Sequence, residues 1–161
     1  MGSGWNPFAN AALGNWQFNG IATLNSGLPI QINNPVNNSF SFGGSQRPDS
    51  TGQKADLEKP TIARWFDTSA FTIAPNYTFG TMGRVHPTLK TDRVENFDLS
   101  VFKNFRFREN YSFQFRAEAF NLANHPVFGA PANTVGAGNF GVVTSQANSP
   151  RQLQMALKFL F

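Results

Sequence analysis

The sequence predicts an all-β protein whose antiparallel strands are connected by long loops. Phe occurs 18 times among the 161 residues, against 3 Trp and 2 Tyr, and there are 14 Gly and 10 Pro. Aromatic residues favour strands, whereas Gly and Pro favour turns, so the composition indicates a chain rich in both. Four stretches also alternate apolar and polar residues with a period of two, which is typical of strands that bury one face only.

The alternation predicts about five or six strands, five of which can be bounded. They are expected near the following residues: 15–25, 28–33, 94–107, 111–122 and 151–161. The first two are separated by a Ser26-Gly27 turn. In the last predicted strand, apolar side chains occupy every second position up to the final residue: Leu153, Met155, Leu157, Phe159 and Phe161.

The third and fourth predicted strands form a hairpin across the short polar connection Arg108-Glu109-Asn110. A connection this short joins strands that are adjacent and antiparallel. On one face the predicted register pairs Phe107 with Tyr111, Phe105 with Phe113, and Val101 with Ala117. On the other face it pairs Asn104 with Gln114, and Ser100 with Glu118. This register keeps both apolar stripes on the same side of the sheet.

Two long segments lack any period and are predicted as loops, at residues 34–93 and 123–149. Structureless segments of this length are rare in compact domains, so the first is either a structured functional loop or partly disordered. Its aromatic residues are candidates for ligand contact, as a stacking surface for sugars or peptides: Trp65, Phe66, Tyr77 and Phe79. The alternative is that these loop aromatics pack against each other.

The strand pattern fits a soluble sandwich or a membrane barrel, and three features favour the barrel. Large aromatics lie toward the strand ends on the apolar faces, where membrane barrels carry interfacial girdles. The opposite faces are polar and charged, as a water-filled or plugged lumen requires. One connection is very short and the others are long, which is the asymmetry of outer-membrane barrels. We therefore expect residues 1–13 to be a lead-in and residues 14–161 to be one segment of an outer-membrane-type barrel.

Composition and motifs argue against most catalytic chemistry. The chain has no Cys, which excludes disulfides, thiol catalysis and zinc sites of the cysteine type. His86 and His125 each precede a proline and have no second ligand at a metal-binding spacing, so no metal or cofactor is expected. No G-x-S-x-G motif is present, and no catalytic residue is assigned. The net charge is +4 without any run of adjacent Lys or Arg, so we expect no nucleic-acid partner.

Several motifs together resemble those of one receptor family. The segment Gly14-Asn15-Trp16-Gln17-Phe18-Asn19-Gly20-Ile21, followed by Ser26-Gly27-Leu28-Pro29, is similar to a strand pair of the Oar-like TonB-dependent receptors. These are large outer-membrane proteins, abundant in Acidobacteria, that often carry a carboxypeptidase-regulatory-like domain at the N-terminus. Further segments resemble the family's later strands and loop: 96–105, 113–122, Asn124-His125-Pro126 with Phe128-Gly129, and 150–161.

The resemblance implies that the parent protein lies in the bacterial outer membrane and that this chain is its C-terminal barrel fragment. The N-terminus lacks a basic region followed by an apolar stretch, so no secretory signal is predicted and a fragment of a longer protein is expected. A complete receptor of this type has a plug, a TonB-contacting segment and about 22 strands. The chain alone is therefore not expected to perform transport.

The resemblance also implies partners. The expected ones are outer-membrane lipid, the remaining barrel strands and the barrel-assembly machinery, whose recognition signal would include Leu157, Phe159 and Phe161. Because five or six strands cannot close a barrel, the isolated chain is expected to self-associate. The alternative is a free-standing soluble β-domain that binds carbohydrate or hydrolyses a small substrate.

Overall fold

The structure of the protein, a computed structural model, describes residues 12–44, 46–108 and 111–161. Its regular elements are the strands β1 (Trp16–Asn25), β2 (Asp49–Ser50), β3 (Phe71–Thr72), β4 (Val94–Arg108), β5 (Tyr111–Phe120) and β6 (Gln152–Leu160), with a short 3₁₀ turn at Thr68–Ala70. The chain forms two compact units. The sheet unit comprises the segment up to Leu24, Glu95–Pro126 and Ser149–Phe161, and the loop unit comprises Asn25–Val94 and Val127–Asn148. The predicted all-β, antiparallel fold class is confirmed.

The sheet unit is built on four strands in the order β1-β4-β5-β6, and the sheet is open. β4 pairs antiparallel with β5, and β5 pairs antiparallel with β6. The backbone N–H of Asn104 donates to the carbonyl of Asn15 at 3.2 Å, and Gly20 lies beside the carbonyl of Asp98. Residue numbers therefore rise along β1 as they fall along β4, so this pair is antiparallel as well.

The predicted hairpin register is confirmed over most of its length. Phe105 lies opposite Phe113, Val101 opposite Ala117, Asn104 opposite Gln114, and Ser100 opposite Glu118. The predicted pairing of Phe107 with Tyr111 is wrong, because Arg108 lies opposite Tyr111 after a register shift that begins at Arg106. An extra residue on one strand of an antiparallel pair produces such a bulge, and alternation alone does not reveal it. Glu109 and Asn110 of the predicted connection lie outside the described residues.

The register divides β4, β5 and β6 into two chemically different faces, because directly opposed residues share a face. One face is apolar except for Lys103: Leu99, Val101, Phe105, Phe113, Phe115, Ala117, Ala119, Leu153, Met155, Leu157 and Phe159. The other face is mainly polar: Ser100, Asn104, Arg106, Ser112, Gln114, Arg116, Glu118, Gln152, Gln154 and Lys158. All residues of β1 and β6 are exposed, so within the sheet unit nothing covers the apolar face along these strands.

The connections at the two ends of the sheet differ in length. Two residues separate β4 from β5. The connections from β1 to β4 and from β5 to β6 are long, and in an antiparallel sheet of this order both leave from the opposite end. The structure therefore has the short-turn and long-loop asymmetry expected from the sequence.

The loop unit has its own apolar core, although it contains little regular structure. Its buried residues are Ile30, Ile32, Ala55, Phe66, Ala70, Phe71, Met82, Leu89 and Val135, with Trp65 and Phe140 packed against them. Edge-to-face contacts join Phe66 to Phe71 and Phe140, with ring centroids 5.8 and 5.2 Å apart. Such contacts require fixed side chains, so this segment is a structured loop.

The two predicted loops belong to one unit. Asn33 N–H donates to the carbonyl of Asn133 at 2.8 Å, and Val135 N–H donates back to Asn33 at 3.0 Å. Residues 28–33 were expected to form a strand, but the structure has only single bridges there, at Pro29 and Asn33. The alternating Ile30 and Ile32 bury their side chains in the core of the loop unit rather than on a sheet. A short alternation of apolar residues indicates that one side of the segment is buried. Here that side is buried although the segment does not pair with a neighbouring strand.

Within the described residues, no helix is both long enough and apolar enough to cross a membrane.

Candidate functional site

The apolar face of the sheet carries a cluster of aromatic rings toward the end where β5 begins and β6 ends. Phe159 stacks on Tyr111 and on Phe161, and lies 4.9 Å from Phe113 between ring centroids. Trp16 and Phe18 stack on each other on β1. The predicted assembly-signal residues Leu157, Phe159 and Phe161 are all exposed here. This end of the sheet therefore presents a contiguous aromatic surface.

Lys103 is the exception on the apolar face. Its ammonium donates to the carbonyls of Ala12, at 3.1 Å, and Gly14. It also lies over the rings of Trp16 and Phe105, at 4.9 and 5.3 Å from their centroids. The side chain is only 2% exposed, because these groups enclose it. Carbonyl oxygens and ring faces are the partners that make a buried cation tolerable.

The polar face contains an ion pair and one buried ring. Arg116 Nε lies 3.3 Å from Glu118 Oε1, and its guanidinium lies 4.5 Å from the ring centroid of Phe102. Ser100 Oγ donates to the same carboxylate at 3.4 Å. The carboxylate of Glu118 is therefore paired with a guanidinium and a hydroxyl on the same face. The position of Phe102 was missed, although continuing the strict alternation through Val101 assigns Phe102 to the polar face and Lys103 to the apolar one.

The predicted ligand-contact residues are not brought together in the loop unit. Phe66 is 0% exposed and belongs to the core, so its prediction as a ligand contact is wrong. Trp65 is partly buried, and its Nε1–H donates to the carbonyl of Lys90 at 2.9 Å. Tyr77 and Phe79 are exposed, as a ligand contact requires. Burial could not be read from this segment because it has no period, so the alternative of mutual aromatic packing applies to Phe66 and Trp65.

The structure gives Tyr77 a partner that the sequence analysis did not single out. The ring of Phe40 stacks on that of Tyr77, with centroids 4.7 Å apart and planes 20° apart. Phe40 is 65% exposed and Tyr77 is 80% exposed. We call this pair the aromatic platform.

Both platform residues have an uncommon backbone conformation. Phe40 has φ of 54° and Tyr77 has φ of 60°, whereas the other described non-glycine residues with positive φ are all Asn. Asn visits the left-handed region readily, but bulky side chains seldom do, at a cost of about 1–2 kcal/mol per residue. The surrounding contacts therefore have to hold both residues in place.

Two buried amides hold the segments that carry the platform. Asn38 Nδ2 donates to the carbonyl of Ala74, and Tyr77 N–H donates to the carbonyl of Asn38 at 2.6 Å. Asn34 Oδ1 accepts from Ala74 N–H at 3.3 Å. Asn34 and Asn38 are both buried, so these bonds are shielded from water. The platform is consequently fixed to the body of the loop unit.

One polar cluster in the loop unit combines Asp56, Thr88 and His86. The hydroxyl of Thr88 donates to Asp56 Oδ2, and Leu89 N–H donates to His86 Nδ1 at 3.2 Å. Burial lowers the pKa of His86 below its usual value, opposed by the nearby charge of Asp56. His86 Nδ1 accepts a backbone hydrogen bond and lies 3.3 Å from Thr88 Oγ1, whose proton goes to Asp56, so these contacts organise a turn. No metal-binding group of three acidic, His or Cys side chains is found among the described residues.

A family model described as an outer membrane beta barrel domain matches residues 1–154 of the chain. The chain belongs to this family. The comparisons with curated proteins and with solved structures gave no match. Membership agrees with an antiparallel sheet whose apolar face is exposed along β1 and β6 within the sheet unit, because the strands of such barrels alternate apolar and polar residues. The protein is therefore an outer-membrane barrel protein, and its four-stranded sheet is part of the barrel domain.

Proposed function

We propose that the four strands form part of the wall of a TonB-dependent receptor barrel of the Oar-like type. The observation that carries this proposal is the open antiparallel sheet, which is apolar and uncovered on one face and polar on the other. In this arrangement the apolar face contacts the hydrocarbon of the outer membrane. The polar face, with its Arg116–Glu118 pair, lines the lumen.

The open sheet supports a larger barrel. Among the strands that the structure describes, β1 and β6 each have one neighbour in the sheet, and about eight strands are the practical minimum for a closed barrel. Unpaired strand edges in a membrane leave backbone polar groups without partners, which is costly in hydrocarbon. Further strands, supplied by additional chain, would pair with β1 and β6 and close the wall.

The receptor type is supported by the motifs. Several motif residues lie at positions with positive φ, which few residue types adopt readily. Gly27 of Ser26-Gly27-Leu28-Pro29 has φ of 82°, and a Cβ there would lie 2.2 Å from the carbonyl oxygen of Thr91. Only glycine fits this position without a backbone shift. Asn121 and Asn124, after β5, both have positive φ, and Asn121 Nδ2 donates to the carbonyls of His125 and Ser149. The motif residues thus set the turns that follow the strands.

The test of the lipid-facing assignment uses neighbouring positions on β6. This chain has no Cys, and the variants Met155→Cys and Gln154→Cys each place one thiol on opposite faces of β6; labelling of the parent protein without either substitution gives the background. In outer membranes containing the full parent protein, we expect a membrane-impermeant maleimide to label the Gln154→Cys variant from the lumen and to leave the Met155→Cys variant unlabelled. Equal labelling of the two variants would count against the barrel wall.

The assembly machinery is a second part of the proposal. Phe159 and Phe161 stack with exposed faces beside Leu157, and we assign these residues to the signal that the machinery reads. Replacing Phe161 with Ala in the parent protein is expected to lower the amount of inserted barrel more than the stability of barrel already inserted. Leu153→Ala, on the same face of the same strand, is the control. Equal outer-membrane levels of all three proteins would remove this assignment.

The isolated chain offers a test against the soluble alternative. An open sheet with two free edges and an uncovered apolar face is expected to associate in aqueous buffer. Sedimentation velocity should then show dimers or larger species that detergent disperses. A detergent-free monomer over a wide concentration range would favour the soluble β-domain.

A further inference from the structure

We propose that the loop unit binds a neutral oligosaccharide on the aromatic platform of Phe40 and Tyr77. The planes of the two stacked rings are 20° apart, and both side chains have large exposed fractions. A sugar ring has one face of C–H groups and a rim of hydroxyls. Its C–H face packs on an aromatic ring, and its hydroxyls need hydrogen-bond partners beside that ring.

The chain next to Phe40 supplies such partners. Ser39 Oγ lies 2.9 Å from both Asn37 Oδ1 and Gln46 Oε1, and 2.7 Å from Ser41 Oγ. Asn37 Nδ2 also donates to the carbonyl of Ser41 at 2.8 Å. These amides and hydroxyls form one linked network around the segment that carries Phe40. Neutral amides and hydroxyls both donate and accept, which matches the rim of a sugar.

The charge distribution selects a neutral ligand. The platform is built from two segments, residues 34–46 and 68–83, and neither contains a Lys, Arg, Asp, Glu or His. The segments themselves therefore offer a ligand neither charge. The charged residues that border them are Arg47, whose backbone carbonyl lies beside Gly80, and Asp49, whose carboxylate accepts a hydrogen bond from Thr81 N–H. A neutral saccharide leaves no buried charge unpaired on either side.

The rigidity of the platform points to a surface prepared for a ligand. Two bulky residues are held at positive φ with exposed rings. Packing of these rings in the apolar core therefore does not explain their strained conformation. Non-glycine residues in such conformations persist only when neighbouring contacts determine them, and they cluster at binding sites. Here the buried Asn38 ties both segments together through Ala74 and Tyr77. Binding would therefore order few new groups, which lowers its entropic cost.

The inference concerns the loop unit and does not depend on the receptor type proposed above. The experiment uses the full chain in detergent micelles and isothermal titration with cellohexaose, maltohexaose and mannohexaose as neutral probes. Hexagalacturonate serves as the anionic comparison. We expect at least one neutral hexaose to bind and hexagalacturonate to bind at least tenfold more weakly. Absence of binding by all three neutral probes, or preference for hexagalacturonate, overturns the proposal.

The double variant Phe40→Gly with Tyr77→Gly removes both rings without disturbing the backbone. Glycine adopts positive φ without strain, so the loop unit should fold at least as stably as the natural chain. Binding of the neutral hexaose should fall at least tenfold. The control variant Leu28→Ala truncates another exposed apolar side chain of the loop unit and should leave binding of the hexaose unchanged. Unchanged binding by the double variant overturns the proposal.

Footprinting on the natural chain gives a result that does not depend on any variant. Hydroxyl-radical oxidation of Phe40 and Tyr77 should fall by at least threefold when the hexaose is bound. Oxidation of the exposed Leu28, outside the two platform segments, serves as the internal reference. Bound hexaose without protection of either platform ring would place the ligand elsewhere and overturn the assignment.

Discussion

The two units of this protein place their apolar side chains in opposite ways. In the sheet unit, Leu153, Met155 and Leu157 alternate regularly along β6 and remain 68–73% exposed. In the loop unit, Phe66, Ala70 and Met82 follow no period and are almost completely buried. An exposed apolar face is stable only in an apolar medium, whereas a covered core is stable in water. The comparison supports the proposal that the apolar face of the sheet contacts lipid, whereas the loop unit covers its own core.

The largest expected effect tests the independence of the loop-unit core. Phe66 is fully buried and contacts Phe71 and Phe140 edge to face. Phe66→Ala should lower the free energy of unfolding of the loop unit by about 3–5 kcal/mol, because it removes a buried ring and leaves a cavity. Hydrogen exchange of the chain in detergent measures this, as faster exchange of the loop-unit amides.

The matched control is Phe79→Ala, which removes the same ring from an exposed position and should change stability by less than about 0.5 kcal/mol. Amides of β4 and β5 should exchange at their natural rates in both variants. If Phe66→Ala accelerated hydrogen exchange in those strands as much as in the loop unit, the two units would not unfold independently.

The same contrast explains what the sequence could predict. The register of β4 and β5 was predictable because Phe105, Phe113 and their neighbours alternate strictly, and a shift by one residue would reverse the faces. Most of the core of the loop unit was not predictable, because its members come from distant, non-periodic positions such as Ala55, Phe66 and Val135. Local pattern does not encode which loop residues meet.

The residues of the candidate site could also be predicted only in part. Tyr77 and Phe79 are exposed and Phe66 is buried, and the sequence could not reveal this difference because the segment has no period. The partner of Tyr77 is Phe40, which lies 37 positions earlier in the chain. Positive φ at a bulky residue carries no sequence signal, so the platform could be found only from the structure.

A smaller effect is expected at a glycine of the loop unit. Gly27→Ala should destabilise this unit by at least about 2 kcal/mol, because the new Cβ combines positive φ with a clash against the Thr91 carbonyl. Gly52 has a similar φ of 79° but open space around it, so Gly52→Ala should cost only about 1 kcal/mol. The stability of the loop unit in both variants is measured by hydrogen exchange of its amides as the temperature is raised. A cost at Gly52 equal to that at Gly27 would show that the close approach to Thr91 has no energetic weight.

The third prediction concerns pH and again separates the units. Burial lowers the pKa of His86 from its usual 6.5, against the opposing charge of Asp56, so the folded loop unit favours the neutral ring. The unfolded chain then binds more protons in this range, and stability rises with pH. The contribution of neutral His86 is fully present above about pH 6.5. It is lost as pH falls through the lowered pKa of the folded state.

Hydrogen exchange at several pH values between 7.5 and 5.5, corrected for the intrinsic exchange rate, should show the loop unit weakening on acidification. Protonated His86 can no longer accept the hydrogen bond from Leu89 N–H, which holds a core residue in place. His86→Gln should remove most of this pH dependence. If the stability of the loop unit had the same pH dependence in the natural chain and in the variant, the role of His86 would be contradicted.

The smallest expected effect lies on the polar face of the sheet. The side chain of Arg116 is 47% exposed and that of Glu118 is 15% exposed, so water and salt screen the 3.3 Å ion pair between them. Glu118→Gln should therefore change stability by less than about 0.5 kcal/mol. Arg116→Ala should cost more, about 0.5–2 kcal/mol, because it also removes the guanidinium from the ring of Phe102.

A double-mutant cycle separates the two contributions. The coupling between Arg116→Ala and Glu118→Gln should be below about 0.5 kcal/mol in 150 mM salt and should shrink further at 1 M. The coupling between Arg116→Ala and Phe102→Leu should be larger and should survive the added salt, since contact with the ring is shielded by burial of Phe102. If the ion pair proved the stronger coupling, the polar face would have a lower effective dielectric than a water-filled lumen provides. That outcome would indicate that another part of the protein covers this face.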